Sequence, residues 1–400
     1  MLRSIELGSA TAPDVLRALD FHTRRLGLPG PAALIGDWLG ADAVIAPSIT
    51  VTEGGTVPDH PDQFWFGYLG FPDRAGDGPL PAAAGGSTDA ILHQDRLGTW
   101  WWTSVTGQPC PDWVRAALGE NHHSDWSVHW SPPQQAPHVA AIDDCLDAIR
   151  AGEVYQACIC TRFTGHVEGS VAHFYADGVD VTRPRKSAFL QGDWGSVVSF
   201  SPETYLTRHG SVVRSSPIKG TLPIDLDPRQ LLDSAKDVAE NIMIVDLVRN
   251  DLGRVAVPGT VTVTELLKVH PAPGVWHLVS TVQATLGQAV TNGELIDATF
   301  PPASVTGTPK IRARQLLSDW EQFPRGVYCG AIGVAAPDGD LDLNVAIRTV
   351  QVSPDGSAHL GVGGGITIDS DPASEWQECL DKAAAIIGLR PRTDQIHVDD

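Results

Sequence analysis

Short apolar runs separated by turn residues cover most of the chain and predict β-strands. In the first third these runs include Ala43–Ala46, which is closed by Pro47, and the aromatic segments Phe64–Gly70 and Trp100–Trp102. The same pattern predicts further strands over residues 154–163, 195–200, 204–208, 211–214, 326–335, 341–352 and 358–363. Asp-Gly pairs in the last quarter of the chain favour hairpins, so we expect antiparallel pairing.

Helical periodicity is clearest in residues 231–252 and 374–387. In the first stretch Asp237 and Glu240 are three residues apart and project from the same side. Its apolar face is marked by Val238, Ile242 and Val245. Strands and helices intermingle along the chain, which predicts an α+β fold with large antiparallel sheets and helices packed on them.

The best candidate for an internal boundary is the pair Pro132 and Pro133. Consecutive prolines end a strand, and residues 139–151, which follow, have helical periodicity. We therefore divide the sequence into an N-terminal part, residues 1–130, and a core, residues 136–395, and expect the two to form one compact structural unit.

Composition and charge restrict the class of partner. The chain has 400 residues, 42% of them hydrophobic, which is enough to bury a large core. Its formal net charge of −20 argues against nucleic acid or an anionic membrane as a partner, because both require a basic patch. An anionic ligand must therefore be held by local cations, backbone amides or a metal ion.

The cysteine pattern indicates a reducing compartment. Six cysteines are scattered without a Cys-x-x-Cys pair, as in proteins that keep their thiols free. Residues 1–30 lack the apolar region of a signal peptide, and no stretch approaches the ~18 uninterrupted apolar residues of a membrane-spanning helix. We expect a cytoplasmic protein.

Lys219 has the most distinctive setting of any side chain in the sequence. A lysine in a turn is ordinarily exposed and unreactive. Here the motif Pro-Ile-Lys-Gly-Thr holds it between a proline and a glycine, and Glu203 follows a predicted strand shortly before it. A rigid turn beside a carboxylate is where an enzyme would place an amine that must be desolvated and aimed.

Two predicted helices carry acidic groups at helical spacing. Asp237 and Glu240 form one pair; Glu375 and Glu378 form the other, with Lys382 one turn farther on. Such charges usually face solvent. Both pairs are close in sequence to turn or glycine-rich segments, however, and Mg²⁺ is typically held by one or two carboxylates together with water and an anionic substrate.

Three further segments have two possible uses each. The glycine-rich run 361–366 either permits tight sheet packing or lets a ligand carboxylate approach backbone amides. Arg348 either forms a structural ion pair or clamps a carboxylate. The segment 304–310 opens a helix, where a Ser or Thr with Pro is ordinary capping and the helix N-terminus is also an anion site.

Taken in order, these motifs resemble those of the chorismate-utilising enzymes. That family includes anthranilate synthase component I, aminodeoxychorismate synthase component I, isochorismate synthase and salicylate synthase. The resemblance covers nearly all of residues 140–390, through the stretches 201–203, 217–221, 236–252, 277–280, 304–310, 325–330, 347–349 and 363–382. It implies antiparallel β-sheets packed as a sandwich with helices on the outside.

The resemblance also implies roles for individual residues. It implies a Mg²⁺-dependent attack at C2 of chorismate with loss of the C4 hydroxyl, which Glu203 protonates while His277 lies near the reacting ring. The metal ligands it implies are Glu240 and Glu378, with support from Glu375 and Asp237. The substrate-binding positions it implies are Gly220, Thr221, Thr306, Tyr328, Arg348, Gly364, Gly365 and Lys382.

Two positions distinguish the branches of the family. Lys219 is similar to the lysine of the aminodeoxychorismate synthases, which attacks C2, whereas anthranilate synthases usually carry alanine there. Gln156 stands where isochorismate and salicylate synthases have a lysine that activates water. The resemblance therefore implies amination of chorismate at C4 to 4-amino-4-deoxychorismate, as in p-aminobenzoate and folate biosynthesis. The ammonia is expected from a separate glutamine amidotransferase subunit, because the chain has no glutaminase signature.

Two alternatives remain open. The chain could be an anthranilate or aminodeoxyisochorismate synthase component, which requires that Lys219 take no part in catalysis. It could also be a non-catalytic regulator that binds chorismate or an aromatic amino acid. Intact acids and a lysine at the catalytic positions argue against a pure binding protein.

Overall fold

A computed structural model of the protein describes residues 3–59, 61–72 and 78–392. Residues 1, 2, 60 and 73–77 of the predicted N-terminal part and residues 393–395 of the predicted core lie outside the described residues. The strands are β1 Arg3–Ser9, β2 Ala32–Trp38, β3 Ala41–Ala46, β4 Thr52–Glu53, β5 Phe64–Leu69, β6 Ala83–Thr88, β7 Ala90–Gln94, β8 Thr99–Ser104, β9 Trp126–Ser131, β10 Gln156–Gly169, β11 Lys186–Gly192, β12 Gly195–Ser201, β13 Thr204–His209, β14 Val212–Ser216, β15 Ile218–Pro223, β16 Thr262–Ala272, β17 Val275–Thr285, β18 Gly307–Thr308, β19 Ala331–Ala335, β20 Leu341–Val345, β21 Thr349–Val352 and β22 Ser357–Ile366.

The helices are interspersed among the strands along the chain. They are α1 Ala12–Leu26, α2 Asp112–Ala116, α3 Gln135–Arg150, α4 Val171–Thr182, α5 Gln230–Asp233, α6 Ala235–Gly253, α7 Asn292–Thr299, α8 Lys310–Trp320 and α9 Pro372–Ile387. Among the described residues, no helix combines the length and the hydrophobicity that a membrane-spanning segment requires.

Two antiparallel sheets form the centre of the molecule. One has 12 strands in the order β1-β8-β7-β3-β2-β11-β12-β21-β22-β10-β18, with β9 also paired to β10. The other has 10 strands in the order β15-β17-β14-β13-β20-β19-β5-β6-β4, with β16 also paired to β17. Early strands pair directly with late ones, as in β2 with β11 and β5 with β19.

Alternate residues of a central strand face different layers. In β2, Leu34 packs between the sheets with Phe66 of β5, whereas Ile35 faces a separate core that includes Phe174 of α4. A third core joins helices α3, α6, α7 and α8 to the ten-stranded sheet. This period of two is expected for a strand buried on both faces, and the predicted α+β sandwich with outer helices is confirmed.

The predicted strand 341–352 is in fact two strands in different sheets. β20 belongs to the ten-stranded sheet and β21 to the twelve-stranded one, and the chain crosses between them at residues 346–348. Arg348 has φ of +51° there, a left-handed conformation that ends the run. β12 and β13 change sheets in the same way, through Pro202 and Glu203. The apolar pattern continues through Val345, Ala346 and Ile347, so the sequence did not show the first crossing. At Pro202 and Glu203 the sequence predicted two separate strands, but not that they belong to different sheets.

The predicted helix 231–252 is also divided. Ser234 adopts an extended conformation with ψ of 101°, and its hydroxyl accepts a hydrogen bond from the Asp237 amide as the N-cap of α6. The predicted apolar face is partly wrong, because Ile242 is 43% exposed while Glu240 is buried. The inward face of α6 therefore carries a carboxylate towards the sheets.

A buried ion pair joins the two sheets. Lys186 of β11 and Asp342 of β20 lie 2.6 Å apart, and the backbone amide of Leu39 also donates to Asp342. The ammonium of Lys186 stands 4.5 Å from the ring centroid of Trp38. Both charged residues are buried, so removal of one leaves the other without compensation.

We expect Asp342→Asn to lower the free energy of unfolding by about 3–5 kcal/mol, because it leaves the buried Lys186 charge unpaired. Urea denaturation followed by circular dichroism measures this. Arg150→Ala is the matched control, since its pair with Asp147 is exposed and should change stability by less than about 1 kcal/mol. Equal effects of the two substitutions would contradict the assignment.

Candidate active site

The two crossings between the sheets lie side by side and hold Glu203 and Arg348. The Val345 amide donates to the Glu203 carbonyl at 3.0 Å, and the Phe200 amide donates to the Arg348 carbonyl at 3.0 Å. Backbone hydrogen bonds therefore fix both side chains at one corner of the sandwich. Functional groups on such rigid elements are held more accurately than groups on loops.

Glu203 is a buried carboxyl whose proton affinity is raised. Only 3% of the residue is exposed, and burial raises its pKa to about 7, although a hydrogen bond from Ser304 and the charge of Lys219 lower it in part. The Ile218 amide lies 3.5 Å from its Oε1. A carboxyl with a pKa near 7 can both release and accept a proton at neutral pH.

Lys219 of β15 points into the same interior and contacts Glu240 of α6. Its Nζ donates to Glu240 Oε1 at 2.6 Å, and Nε2 of Gln156 donates to the same oxygen at 3.1 Å. Burial lowers the pKa of Lys219, but the charge and hydrogen bond of Glu240 together with the charges of Cys158 and Glu203 outweigh it, so the pKa lies above its ordinary value. We call Gln156, Glu203, Lys219 and Glu240 the central cluster.

Glycines of β22 leave the space that this cluster occupies. A Cβ at Gly365 would lie 2.0 Å from Glu240 Oε1 and 2.6 Å from Gln156 Nε2. At Gly364 it would lie 3.0 Å from Glu375 Oε2, and at Gly361 it would lie 2.3 Å from the Tyr328 ring. The glycine-rich run thus allows side chains to approach the strand closely.

Gly365→Ala tests this close approach. We expect it to lower the free energy of unfolding by about 1–3 kcal/mol, because the added methyl group displaces the Glu240 carboxylate from a packed interior. Chemical denaturation measures the change. Gly253→Ala is the control, since a Cβ there meets no heavy atom within 4 Å. An unchanged stability in Gly365→Ala would show that Glu240 is not held against this strand.

The remaining acidic residues line the same region from α6 and α9. Glu375 accepts from Lys236 at 2.5 Å and from the Ser370 hydroxyl at 2.7 Å, while its buried Oε2 has no hydrogen-bond partner among the described residues. Burial raises the pKa of Asp237, and the charge of Glu240 adds to this. Gly220, with φ of +88°, lies against Asp237. The lysines of the site therefore do not pair with all of its carboxylate oxygens.

Glu378 and Lys382 of α9 are paired with each other at 2.8 Å. The Lys382 ammonium also donates to the Gly363 carbonyl at 2.7 Å. Burial raises the pKa of Glu378, but Lys382 more than offsets this and the pKa lies below its usual range. In this structure Lys382 is thus committed to protein partners, and binding a ligand carboxylate would require it to exchange one of them.

His277 of β17 and Arg348 supply polar groups without protein partners. The Thr221 hydroxyl lies 3.0 Å from His277 Nδ1, and His277 Nε2 is buried and unpaired. Burial lowers the pKa of His277 to about 4, and the charge of Arg348 contributes, so the imidazole is neutral at pH 7. Within the described part of the chain, the Arg348 guanidinium makes no hydrogen bond or ion pair, which leaves it available to an anion.

The side chains of two predicted binding residues, Thr306 and Tyr328, contact protein groups. The Thr306 hydroxyl donates to the Pro302 carbonyl at 2.8 Å, which holds the turn before β18. The Tyr328 ring packs over Gly361, and burial raises the pKa of its phenol well above the usual range. Sequence reasoning missed Ser304 as the partner of Glu203. It also missed Lys236, although its spacing of four residues from Glu240 was a usable signal.

Comparisons with known proteins bear on the family and the fold. A family model described as chorismate binding enzyme matches residues 111–388. Aminodeoxychorismate synthase component 1 of Escherichia coli strain K12 is 38% identical over 271 residues, which are 66% of this chain and 59% of that protein. The chain therefore spans less than two thirds of the length of that relative.

Solved structures share the fold. Anthranilate synthase component I from Streptococcus pneumoniae TIGR4 superposes with a TM-score of 0.68 at 26% identity, covering 84% of this chain and 83% of that one. The menaquinone-specific isochorismate synthase of Escherichia coli gives a TM-score of 0.73 at 18% identity, covering 97% and 95%. The second likeness concerns the fold alone, and it extends over the N-terminal third.

Proposed function

Because this chain belongs to the chorismate-binding enzyme family, we propose that it converts chorismate and ammonia into 4-amino-4-deoxychorismate. The observation that carries the proposal is Lys219, a buried amine at the centre of the site, 2.6 Å from Glu240 and in the electrostatic field of Glu203. An amine and a carboxyl with raised pKa together provide a nucleophile and a proton donor.

In the first step of the proposed reaction, neutral Lys219 Nζ attacks C2 of chorismate. A C2–N bond forms, the two conjugated double bonds of the ring each shift by one position towards C4, and the C4–O bond breaks. Hydroxide is a poor leaving group, so protonated Glu203 transfers its proton to the departing oxygen and water leaves. The new secondary ammonium then passes one proton to the Glu203 carboxylate.

In the second step ammonia attacks C4 of the lysine adduct. The C4–N bond forms, both ring double bonds shift back, and the C2–N bond to the lysine breaks. Glu203 gives its proton to the lysine nitrogen as it leaves, and the excess proton on the new amine then returns to Glu203. The net reaction consumes chorismate and ammonia and releases 4-amino-4-deoxychorismate and water. Two steps thereby replace one difficult substitution.

The acidic residues fit a Mg²⁺ ion. An all-oxygen donor set suits this hard cation, and Glu375 Oε2 is a buried carboxylate oxygen without a partner. The residues that would hold the ion are Glu240, Glu375, Glu378 and Asp237. Bound there, Mg²⁺ would offset the charge of the ring carboxylate and polarise it. Glu240 would exchange its contact with Lys219 for the metal, and this would release the amine.

The substrate carboxylates need cations and hydrogen-bond donors. Arg348 is the strongest candidate, since its guanidinium has no partner among the described residues and can bind a carboxylate through two parallel hydrogen bonds. Further proposed contacts come from Gly220, Thr221, Thr306, Tyr328, Gly364, Gly365 and Lys382. Neutral His277, with a free Nε2 and a pKa of about 4, is proposed to lie against the reacting ring.

The ammonia is proposed to come from a separate glutamine amidotransferase subunit. The relative from Escherichia coli is named component 1, which implies a partner component. We place the reaction in p-aminobenzoate or folate biosynthesis, in the cytoplasm, and the unpaired cysteines favour this compartment.

Product identification tests the proposal. The purified protein is incubated with chorismate, Mg²⁺ and ammonium at alkaline pH, and the product is identified by chromatography and mass spectrometry. A reaction without Mg²⁺ and with a chelator is the control, and we expect it to be inactive. Formation of 4-amino-4-deoxychorismate supports the proposal. Anthranilate or isochorismate as product would overturn it, and tight chorismate binding without turnover would favour a regulator.

A further inference from the structure

Three potential metal ligands converge far from the central cluster, on the outer side of the twelve-stranded sheet. His22 lies on the buried side of α1, and Glu120 and His122 lie in the segment 119–125 between α2 and β9. We call these three residues the outer trio. Among the described residues, none of its hydrogen bonds, ion pairs or ring contacts reaches the central cluster. The proposed function does not use it.

The geometry brings two imidazoles to one carboxylate oxygen. Nε2 of His22 lies 2.9 Å from Glu120 Oε2, and Nε2 of His122 lies 2.7 Å from the same atom. The two imidazole rings are 78° apart in orientation, with centroids separated by 6.1 Å. The donor atoms of all three residues lie within 4.8 Å of one another, close enough to share one tetrahedral ion.

The donor types fit a divalent transition metal of the zinc class. Two imidazole nitrogens and one carboxylate oxygen form a common protein donor set for zinc, whereas Mg²⁺ and Ca²⁺ prefer oxygen alone. Bonds of 2.0–2.2 Å place tetrahedral donors about 3.4 Å apart, so the trio would open by roughly half an ångström. The side chain of Glu120 is 37% exposed and has room for this movement.

Neighbouring side chains hold the trio in position and leave one side open. Phe21 stacks on His122 with ring centroids 3.9 Å apart and planes 15° apart, which fixes the imidazole orientation. His22 is nearly buried, with 10% of its side chain exposed, whereas 23% of the His122 side chain is exposed. Water can therefore reach the site and supply a fourth ligand, and an ion has a path of entry.

We propose that His22, Glu120 and His122 bind a divalent zinc-class ion that fastens the segment 119–125 to helix α1. That segment has no regular secondary structure, so its position depends on side-chain contacts. A bound ion joins it to a helix that packs against α4. The site is structural, because it contacts no residue of the central cluster, and zinc binding adds stability directly to the folded state.

The full-length protein, treated with a chelator and then dialysed, is titrated with Zn²⁺ against a chromophoric zinc indicator. His122→Ala and Glu120→Gln remove one ligand each from an exposed segment, and both variants are first shown to be folded by circular dichroism. His123→Ala is the matched control, since it removes the neighbouring imidazole of the same segment. Co²⁺ replaces Zn²⁺ in a second titration, and its visible absorption reports a tetrahedral site.

The parent and His123→Ala are expected to bind one equivalent more than His122→Ala and Glu120→Gln. Loss of one ligand should weaken the site by at least about 100-fold, as even the loss of an outer partner costs 10–100-fold. Zn²⁺ should raise Tm in the parent but not in the two ligand variants. Equal stoichiometry in the parent and both ligand variants, or no zinc binding at all, would overturn the proposal and leave a hydrogen-bonded trio. Neither result depends on the chorismate reaction.

Discussion

Lys219→Ala is expected to lower kcat/KM for chorismate amination by about 10³-fold or more, because the proposed route has no other nucleophile to form the C2 adduct. The substitution also leaves Glu240 buried without its cation, which changes charge as well as chemistry. Lys219→Arg separates the two effects, since arginine retains the positive charge but stays protonated and cannot attack. Steady-state kinetics with ammonium measures both variants.

The matched control is Lys268→Ala, which removes an exposed lysine from the neighbouring strand β16. It should leave kcat/KM within a factor of about 2, as for surface substitutions away from the site. Both Lys219 variants should be inactive if the amine itself is required. Activity of Lys219→Arg within tenfold of the parent would assign the lysine an electrostatic role and contradict the covalent route.

A direct observation of the adduct completes this test. The parent protein is mixed with chorismate and Mg²⁺ without ammonia, and its intact mass is recorded. We expect a species heavier by chorismate less one water, and peptide mapping should place it on Lys219. The adduct should disappear on addition of ammonium and be absent from Lys219→Arg. An active parent that shows no adduct under these conditions would favour direct amination at C4.

Local sequence features were sufficient to predict the types of secondary structure and most residues of the candidate site. Lys219 stands out because it lies in a turn between a proline and a glycine, and Glu203 because it follows a predicted strand shortly before that turn. Glu240 is indicated by its spacing from Asp237 and by the family resemblance. A turn lysine between proline and glycine and a carboxylate on a helix near it are local features. The sandwich itself follows from short apolar runs joined by turns.

Contacts between residues far apart in the sequence could not be predicted from such local features. Lys186 and Asp342 pair across 156 residues, and neither is distinguished by its neighbours in sequence. The crossing at Arg348 was missed because the apolar pattern continues through Val345, Ala346 and Ile347. At Glu203 the break between two strands was predicted, but not that the strands belong to different sheets, because that depends on which distant strands they pair with. The inward turn of Glu240 could not be read from periodicity, since burial of a carboxylate depends on Lys219 and on Gly365 opposite.

The buried carboxyl of Glu203 leads to a prediction about pH. Its pKa of about 7 means that the acid form needed for proton transfer is complete below pH 7 and is lost as the pH rises. The nucleophile requires the opposite, a neutral Lys219, whose pKa is raised by Glu240. The pH profile of kcat/KM in the parent depends on the ionisation of both Glu203 and Lys219. The ratio of kcat/KM between the parent and a Glu203 variant is therefore more informative than the profile of the parent alone.

We expect the ratio of kcat/KM between the parent and Glu203→Gln to be about 10²–10⁴ below pH 6, the usual contribution of a general acid. The requirement for neutral Lys219 is common to both proteins, but the Glu203 charge raises the Lys219 pKa, so each profile is corrected for the Lys219 ionisation measured in that protein. The ratio should then fall about tenfold per pH unit above the pKa of Glu203, because the parent loses its proton donor and the variant has none to lose.

Glu168→Gln is the control for this experiment, since Glu168 is an exposed acid on β10. Its ratio to the parent should stay near one at every pH, as for surface substitutions away from the site. A parent to Glu203→Gln ratio that stays constant between pH 6 and pH 9 would assign proton donation to another group. A fall centred near pH 7 would instead identify Glu203 as the group that protonates the departing C4 hydroxyl. Its pKa is raised by burial, and it is buried because the chain crosses from β12 to β13 at this residue, so the change of sheet contributes to the chemistry.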